Sequence, residues 1–170
     1  MTPKTDKRVR LGFFACIFIL IFLGIVAGYW IRWVTRPVLR ISNWETGEVY
    51  IQKNVSSGDQ LYFGWIHSQE KIPWNEFYHI DDDLHIVLDT ISFPAFGAGI
   101  PENKGRVCEV VDGMIYMSEI NQEFSEFAWI NSHTAVQEIH IDGRYFTRGS
   151  DLPDHVRLRL KVEGRLLCEG

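Results

Sequence analysis

Val156-Arg157-Leu158-Arg159-Leu160-Lys161-Val162-Glu163, near the carboxy-terminal end, alternates apolar with charged side chains along its whole length. Successive side chains of an extended backbone point to opposite faces, so this stretch reads as a strand with one face in a core and the other in water. A helix would scatter the same apolar residues around its circumference. Working backwards from it, Leu84, Ile86 and Leu88 alternate with His85, Val87 and Asp89. Two Asp-Gly pairs punctuate the chain: Asp112-Gly113 between Val110-Val111 and Met114-Ile115, and Asp142-Gly143 between Ile139-His140-Ile141 and Arg144-Tyr145-Phe146. Asp-Gly suits a primed hairpin turn, whose central residues need positive φ. Glu163-Gly164 before Arg165-Leu166-Leu167 is a weaker signal of the same kind.

Val49–Lys53, Gln60–His67, Phe77–Ile80 and Phe124–Ile130 add further short strands, bringing the expectation to nine or more, with no convincing amphipathic helix among them. The expected class is all-β, an antiparallel sandwich or partly closed barrel beginning near Val38. About 130 residues suffice for one such domain with its own core. No internal repeat or low-complexity tract interrupts it.

The amino-terminal segment is of another kind. Leu11 to Ile31 carries no charged side chain, between Lys4, Lys7, Arg8 and Arg10 on one side and Arg32, Arg36 and Arg40 on the other. About twenty apolar residues span the ~30 Å bilayer core as a helix. The expectation is a signal anchor: residues 1–10 a cytoplasmic basic tail, 11–31 a membrane span, 32–37 a linker ended by Arg36-Pro37, and 38–170 an extracytoplasmic domain. The basic excess ahead of the span favours the amino terminus inside. Residues 1–40 carry 7 basic and 1 acidic side chains, net +6, and residues 41–170 carry 10 and 21, net −11, which sum to the chain's −5. Tyr29, Trp30 and Trp33 fall where an outer aromatic belt would lie. A cleaved signal peptide is the rival reading, but the run exceeds the usual h-region of about 7–15 residues and Val26-Ala27-Gly28 is a weak cleavage site. The acidic domain argues against nucleic-acid binding, which calls for clustered basic surface.

The densest group of unusual residues runs from His67 to Pro101: His67-Ser68-Gln69-Glu70, then Pro73-Trp74-Asn75-Glu76-Phe77, then Phe93 to Pro101, reading Phe-Pro-Ala-Phe-Gly-Ala-Gly-Ile-Pro. Its His67-Ser68, Pro73, Glu76-Phe77 and Phe96-Gly97-Ala98-Gly99-Ile100-Pro101 resemble the prokaryotic DUF1850 family, a domain of unknown function. Gln69 stands where valine is more usual. The resemblance covers roughly Leu39 to Val162 and brings no assigned catalytic residue. It implies a neighbourhood: such proteins are often encoded beside the fused membrane component and the TAXI-type binding protein of TRAP transporters, which suggests an accessory to solute uptake.

Read as chemistry, the cluster offers contact residues rather than a motif. His67 shares a strand face with Leu61, Phe63 and Trp65, at the edge of the core, with Glu70 and Glu76 near enough in sequence to orient it. His67, Ser68, Glu70, Glu76, Phe96, Gly97, Gly99 and Pro101 are the candidate partner or ligand contacts, and His67 is expected close in space to the Phe93–Pro101 loop. Ser68 has no G-x-S-x-G elbow, and Gly97-Ala98-Gly99 is no phosphate cradle. Glu76 and His79 could share a metal only on a helix, and Asp81-Asp82-Asp83 lacks the distal glutamate of a calcium loop; that run reads as a solvated turn. No cofactor, metal or catalytic residue is expected. Cys108 and Cys168 lie in the domain where a disulfide is permitted, and the spacing leaves their pairing open. The expected function is an interaction module of a TRAP-type transporter. The alternatives are a membrane-tethered hydrolase using His67 with Glu70 or Glu76, and an envelope module binding saccharide through exposed Trp44, Trp74 and Trp129.

Overall fold

The computed structural model describes residues 6–34, 36–97, 99, 101 and 103–164, with helical side chains described at 14 and 16–31. Ala98, Ile100, the hairpin expected at Arg165–Leu167, and Cys168, whose pairing with Cys108 the sequence leaves open, lie outside the described residues. The chain divides into two compact units, one holding the helix and the other residues 37–164.

In the first unit, α1 runs Asp6–Val34 and contains the whole apolar run. Its described side chains, Phe18, Phe22 and Trp30 among them, are exposed. Among the described residues no helix is long and apolar enough to cross a membrane, so the span expected at 11–31 is not shown.

The second unit is built of β1 (Val38–Asn43), β2 (Val49–Asn54), β3 (Gln60–Ile66), β4 (Pro73–Ile80), β5 (Ile86–Phe93), β6 (Val107–Val111), β7 (Met114–Ser118), β8 (Gln122–Phe124), β9 (Glu126–Ile130), β10 (Val136–Ile141), β11 (Arg144–Thr147) and β12 (Arg157–Glu163). A single 3-10 turn, Gly149–Asp151, precedes the last strand. All pairings are antiparallel. The smaller sheet is ordered β2-β1-β12-β9 and the larger β11-β10-β3-β4-β5-β7-β6, with β8 also on β5. Neither sheet closes on itself, so the barrel alternative falls away. Leu39, Ile41, Leu158 and Leu160 of the smaller sheet and Leu61, Ile80, Ile91, Met117, Ile139 and Ile141 of the larger are almost wholly buried in one shared core.

The local signals decide the elements they cover. Leu158, Leu160 and Val162 of β12 point inward while Arg157, Arg159 and Lys161 alternate outward. Both Asp-Gly pairs form hairpins with positive φ at each residue: 49° and 79° at Asp112-Gly113, 51° and 69° at Asp142-Gly143. Three details differ. The strand expected at 77–80 starts at Pro73, where the first position needs no amide donor. The strand expected at Phe124–Ile130 breaks at Ser125, since β8 lies on β5 and β9 on β12. β5 is shielded on both faces, Val87 and Ser92 included, as an interior strand with β4 on one side and β7 and β8 on the other.

Candidate functional site

Strands β3 and β4 set the site through their register. Trp65 lies opposite Trp74, Phe63 opposite Glu76, and Leu61 opposite Tyr78. Directly opposed residues share a face of the sheet, so Glu76 stands on the core face in line with Trp74, Tyr78 and Ile80. A carboxylate there needs partners, because burying an unpaired charge is costly. Among them, Trp74 Nε1 donates to Oε1 at 3.0 Å, and Tyr78 Oη donates to Oε2 at 2.6 Å. Burial raises the Glu76 carboxyl above its ordinary 4.5, against the pull of hydrogen bonds from Tyr78, Trp74 and Trp65 and the charge of Lys104. Burial and the adjoining carboxylate hold the Tyr78 phenol well above its usual range, so it remains a donor.

Strand β9 supplies the facing wall. Phe127 stacks on Tyr78 with ring centres 5.6 Å apart and planes 13° apart, and Trp129 meets Phe63 edge-on at 5.2 Å. Between these walls lies a cavity of about 420 Å³. Phe63, Trp65, Tyr78, Phe124, Phe127 and Trp129 line most of it, Ser68, Ile130 and Ala135 lie toward its rim, and Glu76 is the charged side chain on its surface. Cavities of ~300–1,000 Å³ that are apolar with a few placed polar groups are the usual form of small-molecule sites. A second hollow, about 680 Å³, lies on the outer face of the larger sheet around Tyr62, Phe77, His140, Glu138 and Asp89. There Tyr62 meets Phe77 at 5.4 Å, and His140 Nε2 lies 2.8 Å from Glu138 Oε2.

Of the sequence-derived candidates, Glu76 and Ser68 line the first cavity; His67, Glu70, Phe96, Gly97 and Gly99 gather around the rings of Trp65, Trp74 and Phe93. His67 follows β3 and is buried, its ring 5.8 Å from Trp65 and 5.7 Å from Trp74. A Cβ on Gly99, whose φ is +80°, would lie 3.7 Å from His67 Cε1 and Nε2, and a Cβ on Gly97 would lie 2.5 Å from Glu70 Cδ. The expected closeness of His67 to the loop is therefore found. Phe96 packs edge-on at 5.6 Å against Phe93, which stacks on Trp74 at 5.1 Å. Ser68 is exposed and Pro101 half-buried.

Glu70 reaches His67 through its backbone amide, 3.5 Å from Nδ1, while its side chain lies over Gly97. Among the described residues no hydrogen bond joins His67 to Glu76, whose oxygens are engaged by Trp74 and Tyr78. His79 turns to the outer face and meets Asp89 at 2.7 Å. Asp81 Oδ1 accepts from the His85 amide at 2.7 Å, which makes the aspartate run a turn. Among the described residues no three metal-ligating side chains gather. The expected exposure of Trp44, Trp74 and Trp129 is corrected. Trp74 is buried because its strand position faces the core, Trp129 packs on Phe63, and Trp44 is half-buried with the Arg157 guanidinium 4.2 Å from its ring centre.

One structural hub escapes sequence reasoning. Asn131, fully buried after β9, donates Nδ2 to the carbonyls of Gly149 and Pro153, each at 2.9 Å, and its amide and carbonyl bond Val156 and His155. Those partners lie about twenty residues away, out of reach of any local pattern.

Residues 61–147, just over half of the 170, match the family described as a domain of unknown function, DUF1850. No curated protein and no solved structure matches the chain. The matched stretch runs from β3 to β11 and includes every residue that lines the aromatic cavity. The chain belongs to the DUF1850 family.

Proposed function

We propose that this chain is a membrane-anchored binding module that serves a TRAP-type solute transporter from outside the cytoplasm, as an accessory of its membrane component or its TAXI-type binding protein. The observation that carries the binding role is the aromatic cavity with Glu76 on its wall. Glu76 is held by hydrogen-bond donors, Trp74 Nε1 and Tyr78 Oη among them, and His67 is packed between the rings of Trp65 and Trp74. That arrangement suits holding a molecule. The uncharged run Leu11–Ile31 between basic flanks supports the anchor, and the excess of Lys and Arg ahead of it supports the orientation. The transporter role rests on the family's usual neighbours.

A second reading, a module that binds saccharide, draws support from the outer-face hollow, where Tyr62 and Phe77 offer ring faces beside Glu138, Asp89 and His140. It no longer draws on Trp44, Trp74 and Trp129.

Photo-crosslinkers placed at Ser68 and Ile130, on the cavity rim, should capture the transporter's membrane component or its binding protein in native membranes, and deletion of the chain should lower uptake. Unchanged uptake with neither component captured overturns the transporter role. A reporter fused after Gly170 that is active only in the cytoplasm overturns the orientation.

A further inference from the structure

The charge and shape of the cavity point to a ligand class. We infer that it takes a small organic ammonium ion, with the charged nitrogen at Glu76 and the apolar body against Trp65, Phe127 and Trp129. This assignment rests on the reading of the domain as a binding module.

Three features of the wall select this chemistry. Glu76 is the ionisable acid on a surface that is otherwise aromatic and aliphatic but for Ser68, so an anionic ligand would meet like charge in a medium that screens it poorly. An ionised carboxylate offers about four acceptor sites, and Trp74 Nε1, Tyr78 Oη and the Trp65 side chain occupy three of them. The remaining acceptor capacity suits an N–H donor arriving from the cavity. Trp65, Phe127 and Trp129 bring ring faces and edges around the same space, and a cation within ~6 Å of a ring centre is attracted by the ring's negative face. Lys104 acts on Glu76 through its charge but does not line the cavity. Wholly apolar ligands would leave the carboxylate dry without a new partner.

The site also predicts a linked proton. Free Glu76 holds its proton more tightly than an ordinary carboxyl because it is buried. A bound cation stabilises the ionised form, so binding expels that proton and affinity falls as the pH drops through the titration of free Glu76. A neutral ligand of the same shape shows no such loss.

The test uses the full chain in a maltoside detergent, titrated with phenethylammonium chloride and, separately, with its neutral counterpart 2-phenylethanol. Tryptophan fluorescence reports occupancy, since Trp65 and Trp129 line the space. At pH 7 the ammonium should bind about tenfold more tightly than the alcohol, with the preference shrinking on acidification. Glu76→Gln, close in size, should abolish the preference. The wild-type comparison across pH needs no variant and stands if Glu76→Gln does not fold. Equal or tighter binding of the alcohol, retention of the preference in Glu76→Gln, or no binding of either probe at millimolar concentration overturns the assignment. Equal binding of both probes leaves the binding module standing and removes only the ammonium. Ammonium binding together with unchanged uptake removes the transporter role and keeps the ligand class.

Discussion

Tyr78 and Glu76 stand two residues apart on the same face of β4 and share a 2.6 Å hydrogen bond from phenol to carboxylate. Because Phe127 stacks on the same phenol ring, the residue that orients the acid is itself held by the opposite sheet. The carboxylate is thus positioned by packing that spans the core, and loosening either sheet moves it.

Removing the donor tests this directly. Tyr78→Phe keeps the ring and deletes the hydroxyl, leaving a buried acceptor short of a partner, and should lower stability by about 1–3 kcal/mol. The loss should be greater at pH 8 than at pH 4, because the ionised acid needs the donor more. Urea unfolding at the two pH values measures both. Trp74→Phe should act in the same direction, and the double variant should fall short of the sum, since the two donors share one acid.

Glu76 should also set a pH dependence of stability. Its folded carboxyl titrates above the ordinary 4.5 through burial, so the folded state binds a proton the unfolded state has released. The associated stability is complete below the unfolded value and is lost as pH rises through the folded one. Asp154 has the opposite sign, its carboxyl lowered by the His133 amide, so the measurement is the difference between wild type and Glu76→Gln. Unfolding free energy of the wild type should fall relative to the variant with rising pH.

Two glycines beside different neighbours should respond differently to a methyl group. At Gly149 a Cβ would sit 2.6 Å from the Val136 carbonyl oxygen and 2.8 Å from that of Ser132. Backbone cannot step aside cheaply, so Gly149→Ala should cost about 1–3 kcal/mol. At Gly97 the obstacle is a side chain, that of exposed Glu70, rather than backbone, so Gly97→Ala should cost less than Gly149→Ala. Thermal melts of the two variants settle the contrast.

Asn131 ties the end of β9 to the turn at 149–153. Asn131→Ala strands two carbonyls and should cost about 1–3 kcal/mol. Asn131→Asp, nearly the same shape, turns an acceptor toward those oxygens and should cost more at pH 7, with recovery on acidification as the acid takes up a proton and regains a donor.

Much of the fold was readable from local signals: the Asp-Gly hairpins and the alternation of β12 depend on residues that touch their own neighbours. The cavity was half readable. Trp74, Tyr78 and Ile80 keep the period of two, and extending it back past Phe77 puts Glu76 on the core face. The His67–Glu70 and Phe96–Pro101 cluster was legible as unusual residues, and the structure joins it through rings the sequence could not place, Trp74 stacking on Phe93. The facing wall was not legible, because the break at Ser125 that carries β9 to the other sheet is decided by which strands stand ready to pair, and that is a tertiary outcome. The same holds for Asn131.

The order β2-β1-β12-β9 bears on how the molecule is made. Strand β12, the last among the described residues, is the middle rung between β1 and β9: Val38 pairs with Glu163 and Ile130 with Arg157. During synthesis the larger sheet can assemble while the smaller one waits, with β9 lacking a backbone partner until residues 157–163 emerge. Pairings so distant in sequence form slowly. A nascent chain therefore carries the outline of the larger sheet long before Phe127 and Trp129 have a fixed place, and any interruption of translation before Arg157 yields a product with an unlatched wall and a bare edge open to aggregation.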